Sequence, residues 1–154
     1  MFNVEIRQDP ARRLAGVVHR GPYEEIGKAF DALGTIAEAQ GLWPHVRNAI
    51  GVYCDDPSAV DAADLSSMAC IEVPDDLSLP DTLEEKHLPA GRVAVLVHKG
   101  PYADLGAAYD YLFGQWLPSS GETPADHPSY EISLNSPHDT APKDLRTEIC
   151  LPLD

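Results

Sequence analysis

Leu14-Ala-Gly-Val-Val-His-Arg-Gly-Pro-Tyr23 and Val93-Ala-Val-Leu-Val-His-Lys-Gly-Pro-Tyr102 are one motif written twice, 79 residues apart (93 minus 14). Each begins as a short run of apolar and β-branched residues, the pattern of a buried strand. Gly-Pro then punctuates it. Gly21 and Gly100 can take the backbone angles of a sharp turn, and Pro22 and Pro101 suit the first position of a helix. Glu24 and Glu25 in one copy, and Asp104 in the other, place acid where the dipole of the following helix favours it. A strand that turns sharply into a helix is therefore expected twice.

Working outward, the two copies match from Val4–Leu33 onto Leu83–Leu112, with 14 of those 30 positions identical. Beyond the helix the offset becomes 80, so that Pro57 meets Pro137, Asp64 meets Asp144, Leu65 meets Leu145 and Cys70 meets Cys150. Self-similarity at a fixed offset marks a duplicated unit, and two copies are too few for a solenoid. We read a single domain, residues 1–154, whose half-domains (about 3–74 and 83–152) share one core. Each half reads as strand, strand, helix, strand, strand. The first strands are Asn3–Gln8 and Leu83–Leu88, each followed by a Pro-Ala turn. The helices carry stripes of Tyr23, Ile26, Phe30, Leu33 and Ala37, and of Tyr102, Leu105, Tyr109, Leu112 and Trp116. Gly41 and Pro118 are expected to stop them. The closing strands are Ala49–Cys54 with Met68–Val73, and Ser129–Leu134 with Arg146–Leu151. The class is α+β, with an antiparallel-type sheet and two main helices on one face.

Composition narrows the function. Apolar residues are 44% and charged residues 23%, which is ordinary for a globular chain. Eleven Lys and Arg against 25 Asp and Glu give a net charge of −14. Such a field repels phosphate backbones, so direct nucleic-acid binding is not expected, and it attracts cations. Cys54, Cys70 and Cys150 are an odd number without CxxC spacing, and we read them as buried small hydrophobes in a reducing compartment. The start lacks an apolar signal core and no apolar run is long enough to span a membrane, so a cytoplasmic protein is expected.

Few residues can carry chemistry. Alternate strand residues face opposite sides, so Leu145, Thr147, Ile149 and Leu151 share one face while Arg146, Glu148 and Cys150 share the other. Offset 80 sets Met68 against Glu148: a carboxylate stands where the other copy holds a methionine, which generic packing does not require. Tyr130, Trp116, Tyr109 and Tyr53 could wall a site for a flat or cationic ligand, since cations are attracted to aromatic faces. Parity sends Tyr130 and its neighbour Glu131 to opposite faces. Tyr23 and Tyr102, and His19 and His98, recur symmetrically and read as structural. The remaining histidines lack metal-ligand spacing, and no metal or cofactor is expected.

The doubled His-(Arg/Lys)-Gly-Pro-Tyr, with Phe113-Gly-Gln-Trp-Leu-Pro-Ser-Ser-Gly, Tyr130-Glu-Ile-Ser-Leu-Asn-Ser-Pro and Leu145-Arg-Thr-Glu-Ile-Cys-Leu-Pro-Leu, resembles the GyrI-like, or AraC effector-binding, superfamily over nearly the whole chain. The resemblance implies a duplicated unit with pseudo-two-fold symmetry and a ligand groove between its halves. In multidrug-sensing members an acidic strand residue in that groove meets the ligand's positive charge, and motif position makes that acid Glu148. The chain has no residues left over for a helix-turn-helix. Three functions follow from the resemblance. The favoured one is capture of hydrophobic, cationic or planar toxic compounds by Glu148, Tyr130, Trp116, Tyr109, Tyr53 and Met68. A second is hydrolysis of cyclopropane-bearing DNA-alkylating metabolites, with Glu148 activating water and Tyr130 assisting. The third is inhibition of DNA gyrase, or contact with a regulator, through the acidic surface. The first copy has no glutamate at the position of Glu131, which counts against a mechanism that needs paired carboxylates.

Overall fold

The computed structural model describes residues 2–55, 59–137 and 139–154. Pro57, matched above to Pro137, and His138 lie outside the described residues. The strands are β1 (Val4–Asp9), β2 (Arg12–Arg20), β3 (Asn48–Tyr53), β4 (Ser66–Glu72), β5 (Glu84–Leu88), β6 (Gly91–Lys99), β7 (Ser129–Ser133) and β8 (Arg146–Pro152). The helices are α1 (Gly27–Ala39), α2 (Leu105–Tyr111) and α3 (Leu117–Ser120), with a π-turn over Leu112–Trp116 joining the last two. The fold is α+β, and each of the eight strands, with α1 and α2, covers a run expected from the sequence.

The chain forms two compact units, one of Met1–Pro10 with Ala90–Asp154, the other of Ala11–Pro89. In the first, β1, β6, β8 and β7 pair in that order, all antiparallel. In the second the order is β3, β4, β2 and β5, again antiparallel. The Pro-Ala links do not close hairpins: β1 pairs with β6 rather than β2, and β5 pairs with β2 rather than β6. Each unit therefore takes its outer strand from the sequence copy that supplies the rest of the other unit.

Parity sorts the strands of each unit. In the first unit Ala94 and Leu96 of β6 and Ile149 and Leu151 of β8 pack under Ala108 and Leu112 of the helical segment. In the second, Ala15, Ala69 and Ile71 pack under Ala29, Leu33 and Ala37 of α1. Burial of these apolar stripes at roughly 25 cal/mol per Å² holds helix to sheet. Val93, Val95, Glu148 and Cys150 occupy the opposite, helix-free side of the first unit, which the register confirms by pairing Val95 with Cys150 and Val97 with Glu148.

The glycines turn as read, but Pro22 and Pro101, expected at the first helical position, are extended residues that cap short 3-10 turns (Tyr23–Glu25 and Tyr102–Asp104) ahead of α1 and α2. Gly21 and Gly100 have φ of 128° and 138°, a region that favours glycine. His19 Nε2 lies 3.1 Å from the Pro22 carbonyl, and His98 Nε2 lies 3.2 Å from that of Pro101. Each histidine thus ties its strand end across the turn to the helix start, a structural role. Tyr23 also holds the fold, its hydroxyl donating to the Asp55 carbonyl at 2.7 Å and accepting the Asp55 N–H at 2.9 Å.

Three further expectations change. Pro118 does not end the second helix; it lies in the first turn of α3, which stops at Gly121 with φ of 75°. Proline lacks an N–H and presses on the carbonyl four residues back. That residue, Gly114, falls in the π-turn, whose wider winding accommodates the ring. Cys54 is exposed, because it follows the last residue of β3, whereas Cys70 and Cys150 are buried. Tyr102 is exposed, whereas Tyr23 is half-buried.

Candidate functional site

Glu5, Arg7 and Asp9 alternate along β1 and so share one face, and the register places that face with Val93 and Val95 of β6. Tyr130 of β7 sits opposite Cys150, and Ile132 opposite Glu148. The helix-free side of the first unit thus brings the carboxyl groups of Glu5, Asp9 and Glu148 together with the guanidinium of Arg7 and the phenol of Tyr130, while Arg146 and Lys99 share that face at the far ends of β8 and β6.

These groups form a continuous network. Arg7 donates from its two terminal nitrogens to the two oxygens of Glu148, each at 2.9 Å, a bidentate geometry that suits the planar guanidinium. Its Nε donates to Asp9 at 3.0 Å. Tyr130 donates to the second Asp9 oxygen at 2.5 Å. Asp9 and Tyr130 are each only 4% exposed, while Glu148 is 15% and Arg7 35% exposed. The hydrogen bonds it donates to Glu148 hold the Arg7 guanidinium above its ordinary pKa, against the opposing effect of burial. At the open end of the network a cavity of about 190 Å³ is lined by Asn3, Glu5, Arg7, Val95, Val97 and Glu148.

The other residues singled out from the sequence are dispersed. Glu131 faces the helices, where Tyr109 donates a short hydrogen bond to it. Tyr109 also stacks on Phe113, with ring centroids 6.0 Å apart and planes 8° from parallel. Trp116 packs against the core beneath the helical segment. Tyr109 and Trp116 therefore lie on the helix-bearing side of the sheet, and Glu148 and Tyr130 on the other. Tyr53 and Met68 belong to the second unit, where Tyr53 meets Tyr23 edge-on at 4.9 Å and Met68 is buried in β4. In that unit the helix-free face has its own ion pair, Arg12 to Glu72 at 2.8 Å, with Asn48 donating to the same oxygen at 2.8 Å.

Sequence reasoning passed over Arg7, Asp9 and Glu5. The available signal was their i, i+2, i+4 spacing in a strand, which puts three charges on one side. Among the described residues no group of three or more His, Cys, Asp or Glu side chains could hold a metal ion. Among the described residues no helix is long and apolar enough to cross a membrane.

The family description "GyrI-like small molecule binding domain" matches residues 2–154. The chain belongs to the GyrI-like family. A curated relative from Erwinia billingiae named DNA gyrase inhibitor is 34% identical over 142 residues, covering 87% of each chain. The DNA gyrase inhibitor of Escherichia coli K12 is 27% identical over 139 residues, covering 88% of this chain and 87% of its own. Among solved structures, the EcmrR C-terminal domain superposes with a TM-score of 0.84 at 19% identity, covering 100% of this chain and 98% of that one. SAV2435, solved bound to tetraphenylphosphonium, superposes with a TM-score of 0.70 at 12% identity, covering 99% and 94%. At such identities these two likenesses establish the fold alone.

Proposed function

We propose that this GyrI-like domain captures hydrophobic, cationic small molecules at the cavity of the first unit, with Glu148 as the acid that meets the positive charge. The observation that carries the reading is the position of Glu148: a half-buried strand carboxylate lining a cavity that Val95 and Val97 also line. Arg7 is bonded to Asp9 and Glu148 and is the one cation among the described residues lining the cavity, where Glu5 adds a further carboxylate, so the site has an acidic surplus within a chain that is already strongly acidic. Two valines beside excess acid suit a lipophilic cation, whose desolvation costs little and whose charge is compensated. Tyr130 supports the site through Asp9 rather than by presenting its ring.

The same geometry weighs against Glu148 as the base of a hydrolase. Arg7 covers the bidentate edge of the carboxylate, so water activation there would require the pair to open first. Capture needs only the field.

Calorimetric titration with tetraphenylphosphonium and with neutral triphenylphosphine oxide tests the reading. The cation is expected to bind at least about tenfold more tightly, equivalent to ~1.4 kcal/mol, and to weaken as salt is raised. Equal affinity for the neutral compound would overturn it.

A further inference from the structure

Arg7 projects into the cavity that the proposed ligand would use, and it already holds both oxygens of Glu148. We infer that Arg7 is a tethered competitor: it occupies Glu148 when the site is empty, a ligand cation must exchange with it, and Arg7 thereby sets the affinity threshold for cations. This rests on the capture reading of the same cavity.

The strand gives the displaced guanidinium somewhere to go. Glu5 and Asp9 lie two residues to either side on the same face, neighbours roughly 7 Å along the strand and within reach of a long side chain. The Nε–Asp9 bond does not involve Glu148, so the terminal nitrogens can swing away while that anchor persists. Arg7 is about one-third exposed, and β1 pairs only with β6 in its unit, leaving the side chain room on the outer edge. Exchange therefore replaces one ion pair by another, in place of creating a bare charge.

The second unit lacks the device at the matched positions. Lys86 stands at the place of Arg7 and Met68 at that of Glu148, so a cation is present with no carboxylate to block.

Arg7→Met should bind tetraphenylphosphonium about fivefold more tightly than the parent, the upper end of what a partly exposed ion pair contributes. The gain should vanish in a Glu148→Gln background, because the competitor acts only through that acid. A loss of structure cannot mimic a gain in affinity. Arg7→Lys keeps the charge and the fold but not the bidentate bond, and should show a gain of about twofold. In the unaltered protein, the nitrogen resonances of the Arg7 guanidinium should shift on saturation with the cation. If the parent binds but neither variant gains, or the Arg7 resonances stay put, Arg7 is not a competitor and capture stands without it. If neither parent nor variants bind the cation, the capture reading falls as well.

Discussion

Glu148→Gln is expected to reduce the affinity for tetraphenylphosphonium by at least about tenfold while lowering stability by only about 1 kcal/mol. The amide has nearly the same shape as the carboxylate, so the cavity wall is kept. Its remaining carbonyl can still accept one hydrogen bond from Arg7, whose Nε stays on Asp9. The ion pair that is lost is partly exposed, and such pairs contribute little to folding. What disappears is the charge, and with it the acidic surplus that favours a cation over its neutral analogue. Titration and thermal unfolding of the same preparation separate the two effects. Parental affinity in the folded variant would remove Glu148 from the site. Complete loss of folding would make its bond to Arg7 chiefly structural.

The largest effect on stability is expected at Gly16. A β-carbon there would lie 2.2 Å from the Ala69 carbonyl oxygen and 2.8 Å from Cys70 Sγ, separations that no side chain tolerates. Both neighbours belong to the adjacent strand β4, where Gly16 pairs with Cys70. Relief would require the β2–β4 ladder to open or the buried thiol to move into a full core. Gly16→Ala is therefore expected to destabilise the protein by about 3 kcal/mol or more. Gly34→Ala makes the matching control. It lies within α1 with nothing near its added β-carbon, and should raise stability by roughly 0.5–1 kcal/mol. Denaturant midpoints of the two variants should move in opposite directions. A Gly16→Ala protein of parental stability would mean that the strands are not packed so closely. Cys70 itself, its thiol pushed up to about 12 by burial, stays protonated at neutral pH and acts there as a small apolar side chain.

Local chemistry made most of the fold legible. Period-2 alternation in Arg146–Leu151 identified β8 and sorted its faces, and Gly21 and Gly100 marked turns that their positive φ angles bear out. Those features depend on neighbours within a few residues. The pairing of β1 does not. Its partner β6 begins more than 80 residues later, and nothing in Val4–Asp9 distinguishes β6 from the nearer β2. Without that pairing Arg7 and Asp9 were charges on an isolated strand, and the bidentate bond to Glu148 could not be seen. Pro118 misled for a related reason, since the π-turn that accommodates it carries no sequence signature. Aromatic residues on the helix stripes, Tyr109 and Trp116, could be placed on a helix but not on a side of the sheet, and they pack opposite Glu148.

The location of the bound cation is the decisive observation. Crystals soaked with tetraphenylarsonium, whose arsenic is visible by anomalous scattering, would show it without reference to any variant. The account predicts one strong peak over Val95 and Val97, beside the Glu148 carboxylate, with the guanidinium of Arg7 turned toward Glu5 or Asp9. A peak elsewhere on the molecule, with the Arg7–Glu148 pair intact, would contradict it.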